Sequence, residues 1–532
     1  NPRLPLPAAL YGSRVNSAGV EFGHAEEFER LMDDLQKAGL PTAPARALVD
    51  GESCPGTRRE VISPIDGKTV AGIVEDADEA TADAAMAAAR AGFAAWAATP
   101  AATRAEAIRK ASDLLEARRG LFINLLQTEA GKTLDDAVAD LREAVDFCRY
   151  YARQAERLFG ESMALPGPTG EENRLVLRGR GPFVCISPWN FPLAIFMGQV
   201  TAALVAGNSV VAKPAEQTPI IAHEAVTLLH EAGVPKSALH YVPGDGRIGA
   251  RLVAHPAVAG VAFTGSTEVA RIINRTLAAK DGPIVPLIAE TGGINAMIVD
   301  ATALPEQVAD DVVTSAFRSA GQRCSALRLM CVQEDVADRM IEMVVGAARE
   351  LKVGDPRDPS VHVGPVIDAE AKAKLEAHIA AMKANARTHL AIPGPTPGTY
   401  VGPHIFELAS PGDLKEEVFG PILHVVRYKA NRLDDVIAAI EATGYGLTLG
   451  IHSRIEESVE HIVARLQTGN VYVNRNIIGA VVGTQPFGGH GLSGTGPKAG
   501  GPHYLLRFAT EQTVTVNTAA AGGHASLIAM GE

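Results

Sequence analysis

FVCI at 183–186, SVVA at 209–212, HYV at 240–242, GVAF at 260–263 and IVPLI at 284–288 are five short apolar runs between Gly181 and Glu290, separated by helical segments. Strand-length runs alternating with helices predict a parallel, doubly wound α/β sheet. The last run continues as IVPLIAETGG, 284–293, so an apolar strand delivers Glu290 into a glycine turn. A carboxylate at the mouth of such a strand has a raised pKa, which suits a general base; the plainer alternative is a helix cap or surface carboxylate. Downstream, FRSAGQRCSAL at 317–327 follows a helical run from Pro305 to Ser319 that closes on Gly321. Cys324 falls in a short polar turn, where backbone N–H groups with Arg323 and Arg328 would lower its pKa toward the reactive thiolate. An inert, buried cysteine is the bland reading.

At 532 residues the chain is too long for one core, and two or three domains are expected. Its 47% hydrophobic and 21% charged content is that of a globular protein. A net charge of −12 without a Lys/Arg-dense patch argues against nucleic acid and against an anionic membrane surface as partner. Five cysteines, at 54, 148, 185, 324 and 331, are odd in number and lack metal-ligand spacing. They point to reduced thiols in a reducing, cytoplasmic compartment, with buried packing as the default for all but Cys324. No HExxH occurs and no metal site is read. The apolar stretch 197–212 is broken by Gln199 and Asn208, so no membrane span is expected. The opening NPRLPLPAALYG has no signal pattern and no initiator methionine, as in a processed product or a piece of a longer chain.

Residues 1–24 read as an arm, Ala25–Ala38 as an amphipathic helix and 41–59 as a connector to strand-like pieces around 61–74. Apolar spacing near 3.6 predicts helices at 79–97, 101–118, 121–130 and 133–159, with Met86, Phe93 and Trp96 giving the first its core face. A strand is expected at 173–177. After Glu290 a second α/β block carries strands near 295–299, 329–332 and 423–428, and TVTVNT at 513–518 alternates as a strand. There is no internal repeat.

ETGG and GQRC, with PWNFP at 188–192, KPAEQTP at 213–219, FTGST at 263–267, EEVFGP at 416–421 and PFGG at 486–489, resemble the aldehyde dehydrogenase superfamily from about Ile62 onward. The resemblance implies an α/β aldehyde dehydrogenase fold. Its parts would be an arm and connector (1–60), a Rossmann-like NAD domain (61–162 and 181–289), a catalytic domain (290–490), and an oligomerisation β-flap with tail (163–180 and 491–532). It implies Cys324 as nucleophile, Glu290 as base, and the Asn190 amide with the Cys324 N–H as oxyanion donors. It also implies NAD as cofactor. Gly265, Ser266 and Thr267 would receive the pyrophosphate at a helix start. Lys213 and Glu216 would grip the adenosine ribose, favouring NAD over NADP; Glu417 and Phe419 would hold the nicotinamide ribose and ring. Ile186, Pro188 and Trp189 would complete the cofactor site. Each has a plain alternative: an N-cap for FTGST, a solvated pair for Lys213 and Glu216, a capped turn for Glu417 and Phe419. Gly244, Gly246 and Gly249 spell G-x-G-x-x-G, but the superfamily places its cofactor differently, so they read as a glycine-eased turn.

PFGGHGLSGTGPKAGGPHYLLRF at 486–508, the opening PRLPLPAALYG and the ending NTAAAGGHASL narrow the resemblance to bifunctional proline-catabolic enzymes. In that family the C-terminal half oxidises L-glutamate-γ-semialdehyde to glutamate. The resemblance implies a small-molecule substrate, a homodimer and an upstream proline dehydrogenase domain. Gly479 and Ala480, in the loop 475–485, would present N–H groups to the substrate carboxylate, with the Ser325 hydroxyl beside them. Phe191 and Phe487 would flank the aliphatic middle. Alternatives are a dehydrogenase for another small semialdehyde such as succinic semialdehyde, an acylating coenzyme-A-dependent relative, or a catalytically silent structural relative.

Overall fold

Helix boundaries follow from capping chemistry in the computed structural model, which describes residues 5–12 and 14–521. The helix Glu79–Ala98 starts at Asp78, whose carboxylate accepts from the Thr81 N–H at 2.8 Å. Pro100 separates it from Ala101–Ala117, and Arg119–Ala130 ends on Gly131, whose φ of +68° only glycine adopts without strain. Thr133 caps the long helix Leu134–Phe159, which packs against Ala101–Ala117 and Ala194–Val205. Met86 and Trp96 are buried as expected, but Phe93 is only partly so; the Trp96 indole N–H donates to the Leu204 carbonyl.

Among the described residues the first sheet has nine strands. Its order is Leu287–Glu290, Gly260–Thr264, Phe183–Ile186, Val210–Lys213, Leu239–Tyr241, Ala45–Val49, Val70–Asp76, Thr57–Ile62, with Glu52–Cys54 paired to Ala45–Val49. The first five are parallel, as the alternation predicts. Four carboxyl ends, at Ile186, Lys213, Thr264 and Glu290, therefore share one edge, where open α/β sheets bind ligands. The second sheet runs Arg387–Ala391, His404–Leu408, Ile422–Tyr428, Leu327–Gln333, Asn295–Val299, Thr448–His452, Asn470–Val473. All its neighbours are parallel except the first pair. A third, antiparallel sheet joins Ala509–Asn517 to Glu171–Gly179 along their whole lengths, with Met163–Leu165 at its edge.

Three element boundaries need correction. The stretch 41–59 is more than a connector: Ala45–Val49 and Thr57–Ile62 are strands of the first sheet. Arg58, Arg59 and Glu60 gave no apolar signal because Thr57–Ile62 is an edge strand with a mostly exposed face. The strand expected at 284–288 runs Leu287–Glu290; Pro286 has no N–H to donate and Ile284 is fully exposed. The helix from Pro305 stops at Phe317, short of Ser319. Asp245, by contrast, caps the helix Gly246–Ala254 through the Arg247 N–H, so the G-x-G-x-x-G segment is a turn into a helix. Cys148, Cys185 and Cys331 are buried thiols, whereas Cys54 is partly exposed, contrary to its default. The ending at 517–527 and the first residues of the opening lie partly outside the described residues. No helix among those residues is long and apolar enough to cross a membrane.

Candidate active site

The segment carrying Cys324 leaves its helix through a left-handed turn. Ser319, Ala320 and Gly321 have φ of +55°, +54° and +66°. Left-handed backbone costs a non-glycine residue roughly 1–2 kcal/mol, so two of these positions need support from elsewhere. Gly321 is obligatory for a second reason: a Cβ there would lie 2.1 Å from the Gly420 carbonyl oxygen.

That support is a buried charge network the sequence did not advertise. Asp136 accepts from Arg318 at 2.8 Å, from Arg323 at 2.7 Å and from the Ser319 hydroxyl at 2.9 Å. Despite burial, the nearby guanidinium groups hold its carboxyl well below the usual carboxylate range. Arg328, fully buried, donates to the carbonyls of Gly321 (2.7 Å), Arg323 (3.0 Å) and Gly420 (3.2 Å) and reaches Glu417 at 3.5 Å. The Asn295 amide donates to the Cys324 carbonyl at 2.6 Å.

Cys324 thereby enters a cleft with Glu290, Ser325, Gly479, Ala480, Phe191 and Phe487 along its walls. Seven positions singled out from sequence are thus brought together. Gly479 has a φ of +75°, and the space beside its Cα is empty. The Glu290 carboxyl accepts from the Gly489 N–H at 3.3 Å, while its other oxygen is buried without a partner. Burial pushes it well above the usual carboxylate range, the direction expected of it.

Cys324 itself goes the other way from its expectation. Burial, then Glu417, Glu290 and Glu143, push the thiol up to about 12, with Arg328 opposing. Arg323 is spent on Asp136 and the Ser319 hydroxyl, and Arg328 on carbonyls. The resting thiol is protonated.

Asn190 lies at an adjoining recess with Trp189 and Gln322, and one amide hydrogen goes to the Gln322 carbonyl at 3.1 Å. Trp189 meets Phe419 edge-on at 5.5 Å, and Arg328 lies over the Phe419 ring at 5.2 Å. Gly292 makes room for Glu417, whose carboxylate a Cβ would overlap at 1.6 Å.

On the first sheet's edge, Lys213 is buried, its Nζ donates among the described residues only to the Pro214 carbonyl, and burial lowers its pKa to about 8. Gly249 leaves space for its stem, since a Cβ there would touch the Lys213 Cδ at 3.4 Å. Glu216, exposed, lines a second cleft with Asp76 and Asp245. No hydrogen bond joins it to Lys213. The FTGST turn needs one correction. The Gly265 N–H is taken by the Glu290 carbonyl, and the Thr267 hydroxyl by the Leu492 carbonyl. Ser266 caps the helix Thr267–Ala278 by accepting from the Val269 N–H, which leaves its own O–H to donate. Ile186 sits half-buried at the end of its strand and Pro188 half-buried just after it.

Sequence reasoning missed Asp136, Asp140, Glu143 and Lys132. The acidic residues recur on one stripe of the helix Leu134–Phe159, a pattern that ordinarily reads as a solvated face. Lys132 faces Asp140 at 3.2 Å and covers the Phe191 ring at 3.9 Å.

A first-sheet strand ending on a buried glutamate and a second-sheet strand following a cysteine turn bring both groups into one cleft, the arrangement of an α/β dehydrogenase-like enzyme. The aldehyde dehydrogenase family model matches residues 49–514, and the chain belongs to that family. The bifunctional protein PutA of Klebsiella aerogenes is 48% identical over 521 residues, 96% of this chain but 39% of that protein. Bradyrhizobium japonicum proline utilization A is 67% identical with a TM-score of 0.90, covering 98% of this chain and 50% of that one. A Thermus 1-pyrroline-5-carboxylate dehydrogenase with bound NAD is 33% identical with a TM-score of 0.90, covering 94% and 99%. The chain thus spans half or less of the bifunctional relatives and nearly all of the monofunctional one.

Proposed function

We propose that the chain oxidises L-glutamate-γ-semialdehyde, the open form of 1-pyrroline-5-carboxylate, to L-glutamate with NAD as acceptor. The observation that carries this reading is the single cleft holding Cys324, Glu290, Ser325 and the Gly479–Ala480 turn together. The similarity to a 1-pyrroline-5-carboxylate dehydrogenase over nearly its whole length supports it.

Cys324 gives up its proton to solvent water, attacks the aldehyde carbon and forms a thiohemiacetal. The alkoxide accepts from the free amide hydrogen of Asn190 and the Cys324 N–H; neutral donors stabilise it without trapping it. Bound NAD supplies the hydride acceptor that lets this adduct become a thioester. Glu290 then takes a proton from water, which releases the acid; its raised pKa gives it the basicity for that step.

The residues present fit that cofactor. Lys213 is buried with two ammonium hydrogens unpartnered, Ser266 has a free O–H, and both lie at the carboxyl edge of the first sheet. Lys213, Glu216 and Ser266 would hold its phosphate and ribose groups, with Gly265 shaping the turn. Ile186, Pro188, Trp189, Glu417 and Phe419 would hold the nicotinamide half. Ser325 and the N–H groups of Gly479 and Ala480 receive the substrate carboxylate, and Phe191 and Phe487 its methylenes. The paired strands Glu171–Gly179 and Ala509–Asn517 mediate a homodimer, an upstream proline dehydrogenase domain supplies the substrate, and the protein works in the cytoplasm.

A panel of semialdehydes with NAD and NADP, followed by NADH or NADPH absorbance, tests the reading. Glutamate semialdehyde with NAD should give the highest kcat/KM. A higher value for succinic semialdehyde, or turnover that requires coenzyme A, would overturn it.

A further inference from the structure

Asp136, Asp140 and Glu143 lie on one face of the helix Leu134–Phe159, each about one turn from the next. The first two are occupied. Asp136 pairs with Arg318 and Arg323, and Asp140 faces Lys132 and accepts from the Ala194 N–H at 2.7 Å. Glu143 differs. Its carboxyl lines the cleft with Cys324, Ser325, Gly479 and Ala480, and among the described residues it has no hydrogen bond or ion pair. Burial and then the Asp140 charge push it up to about 8, with Arg323 and Lys132 pulling down. An unpartnered carboxyl group in such a place carries a desolvation cost that an entering cation would offset.

The semialdehyde proposed above brings such a cation. Its α-ammonium sits on the carbon that bears the carboxylate, so it arrives wherever Ser325, Gly479 and Ala480 receive that carboxylate. Backbone N–H groups cannot serve an ammonium, which has only protons to give. Among the described residues two carboxyl groups line the cleft, and the other, Glu290, is assigned to water.

We propose that Glu143 receives the substrate's α-ammonium group, and that the cleft thereby selects α-amino semialdehydes over analogues lacking the amine. This specificity assignment rests on the semialdehyde reading above.

The test compares glutamate semialdehyde with glutaric semialdehyde, which keeps the chain and carboxylate but has hydrogen in place of the ammonium. At one fixed pH the native enzyme should favour the amino substrate. Glu143→Gln should raise its KM roughly 10- to 100-fold, the loss of a charge-assisted contact. It should leave kcat within a few-fold and the glutaric substrate unchanged. A variant that melts cooperatively yet keeps the native ratio between the two substrates overturns the proposal. Should the variant not fold, calorimetry on the native protein decides: L-glutamate should bind more tightly than glutarate, and equal affinities overturn the contact. A native enzyme that oxidises both substrates equally well loses the ammonium contact and keeps the dehydrogenase reading. One that oxidises neither loses both.

Discussion

Asp136 lies behind the Cys324 turn and Glu290 in the cleft before it; both carboxyl groups are buried, and their surroundings drive them in opposite directions. Asp136 meets two guanidinium groups and a hydroxyl and stays ionised. Glu290 meets one backbone N–H and is pushed well up. Burial is common to both, so the partners decide the sign. Behind the turn, paired charges fix a strained backbone. In the cleft, Glu290, Glu143 and the Cys324 thiol are raised groups with few partners, as suits proton transfer or ligand capture.

The largest effect that would break this division is at the thiol. Cys324→Ala should lower dehydrogenation by about four orders of magnitude or more, while thermal unfolding and NAD affinity, read by calorimetry, stay near native values. Full turnover would remove the nucleophile from the account.

Behind the turn the expected change is in stability. Asp136→Asn leaves Arg323 buried without its counter-charge and should cost about 3–5 kcal/mol, measured by denaturant unfolding. The sign of the pH dependence follows from the lowered carboxyl. Its contribution is complete above the unfolded value of 3.8 and is lost as acid protonates it, so native and variant should converge in stability at low pH. A variant as stable as the native chain at neutral pH would mean the network does not support the turn.

Asn190→Ala removes one of the proposed oxyanion donors and should slow hydride transfer roughly 10²- to 10³-fold in single-turnover kinetics. The smallest effect lies farthest from the turn. Glu216→Ala should narrow the preference for NAD over NADP by roughly tenfold, the worth of a charged hydrogen bond to the ribose. A native preference for NADP would sink that assignment.

The same contrast explains what was legible in the sequence. Helices from 79 to 159 and the parallel strands follow from periodicity, and the strand at 287–290 starts late because Pro286 has no N–H to donate, its carbonyl alone pairing with the Val261 N–H. The walls of the cleft were legible because unusual residues, a cysteine and a glutamate beside glycines, sit in turns. The scaffold behind them was not. Asp136, Asp140 and Lys132 look like any solvated helix charges until the packing buries them. The Cys324 pKa failed for a related reason. Arg323 is next to the thiol in sequence and Arg328 four residues on, but their guanidinium groups are committed to Asp136 and to carbonyls.

Rapid mixing of Glu290→Gln with glutamate semialdehyde and NAD tests the central division of labour most directly. In the proposed mechanism acylation of Cys324 precedes hydrolysis, so one equivalent of NADH per site should appear in a burst, followed by a stall. Intact-mass analysis should then find the acyl group on Cys324. Unimpaired steady-state turnover, or loss of the burst with no adduct in a folded variant, would contradict the assignment of Glu290 to the hydrolytic step alone.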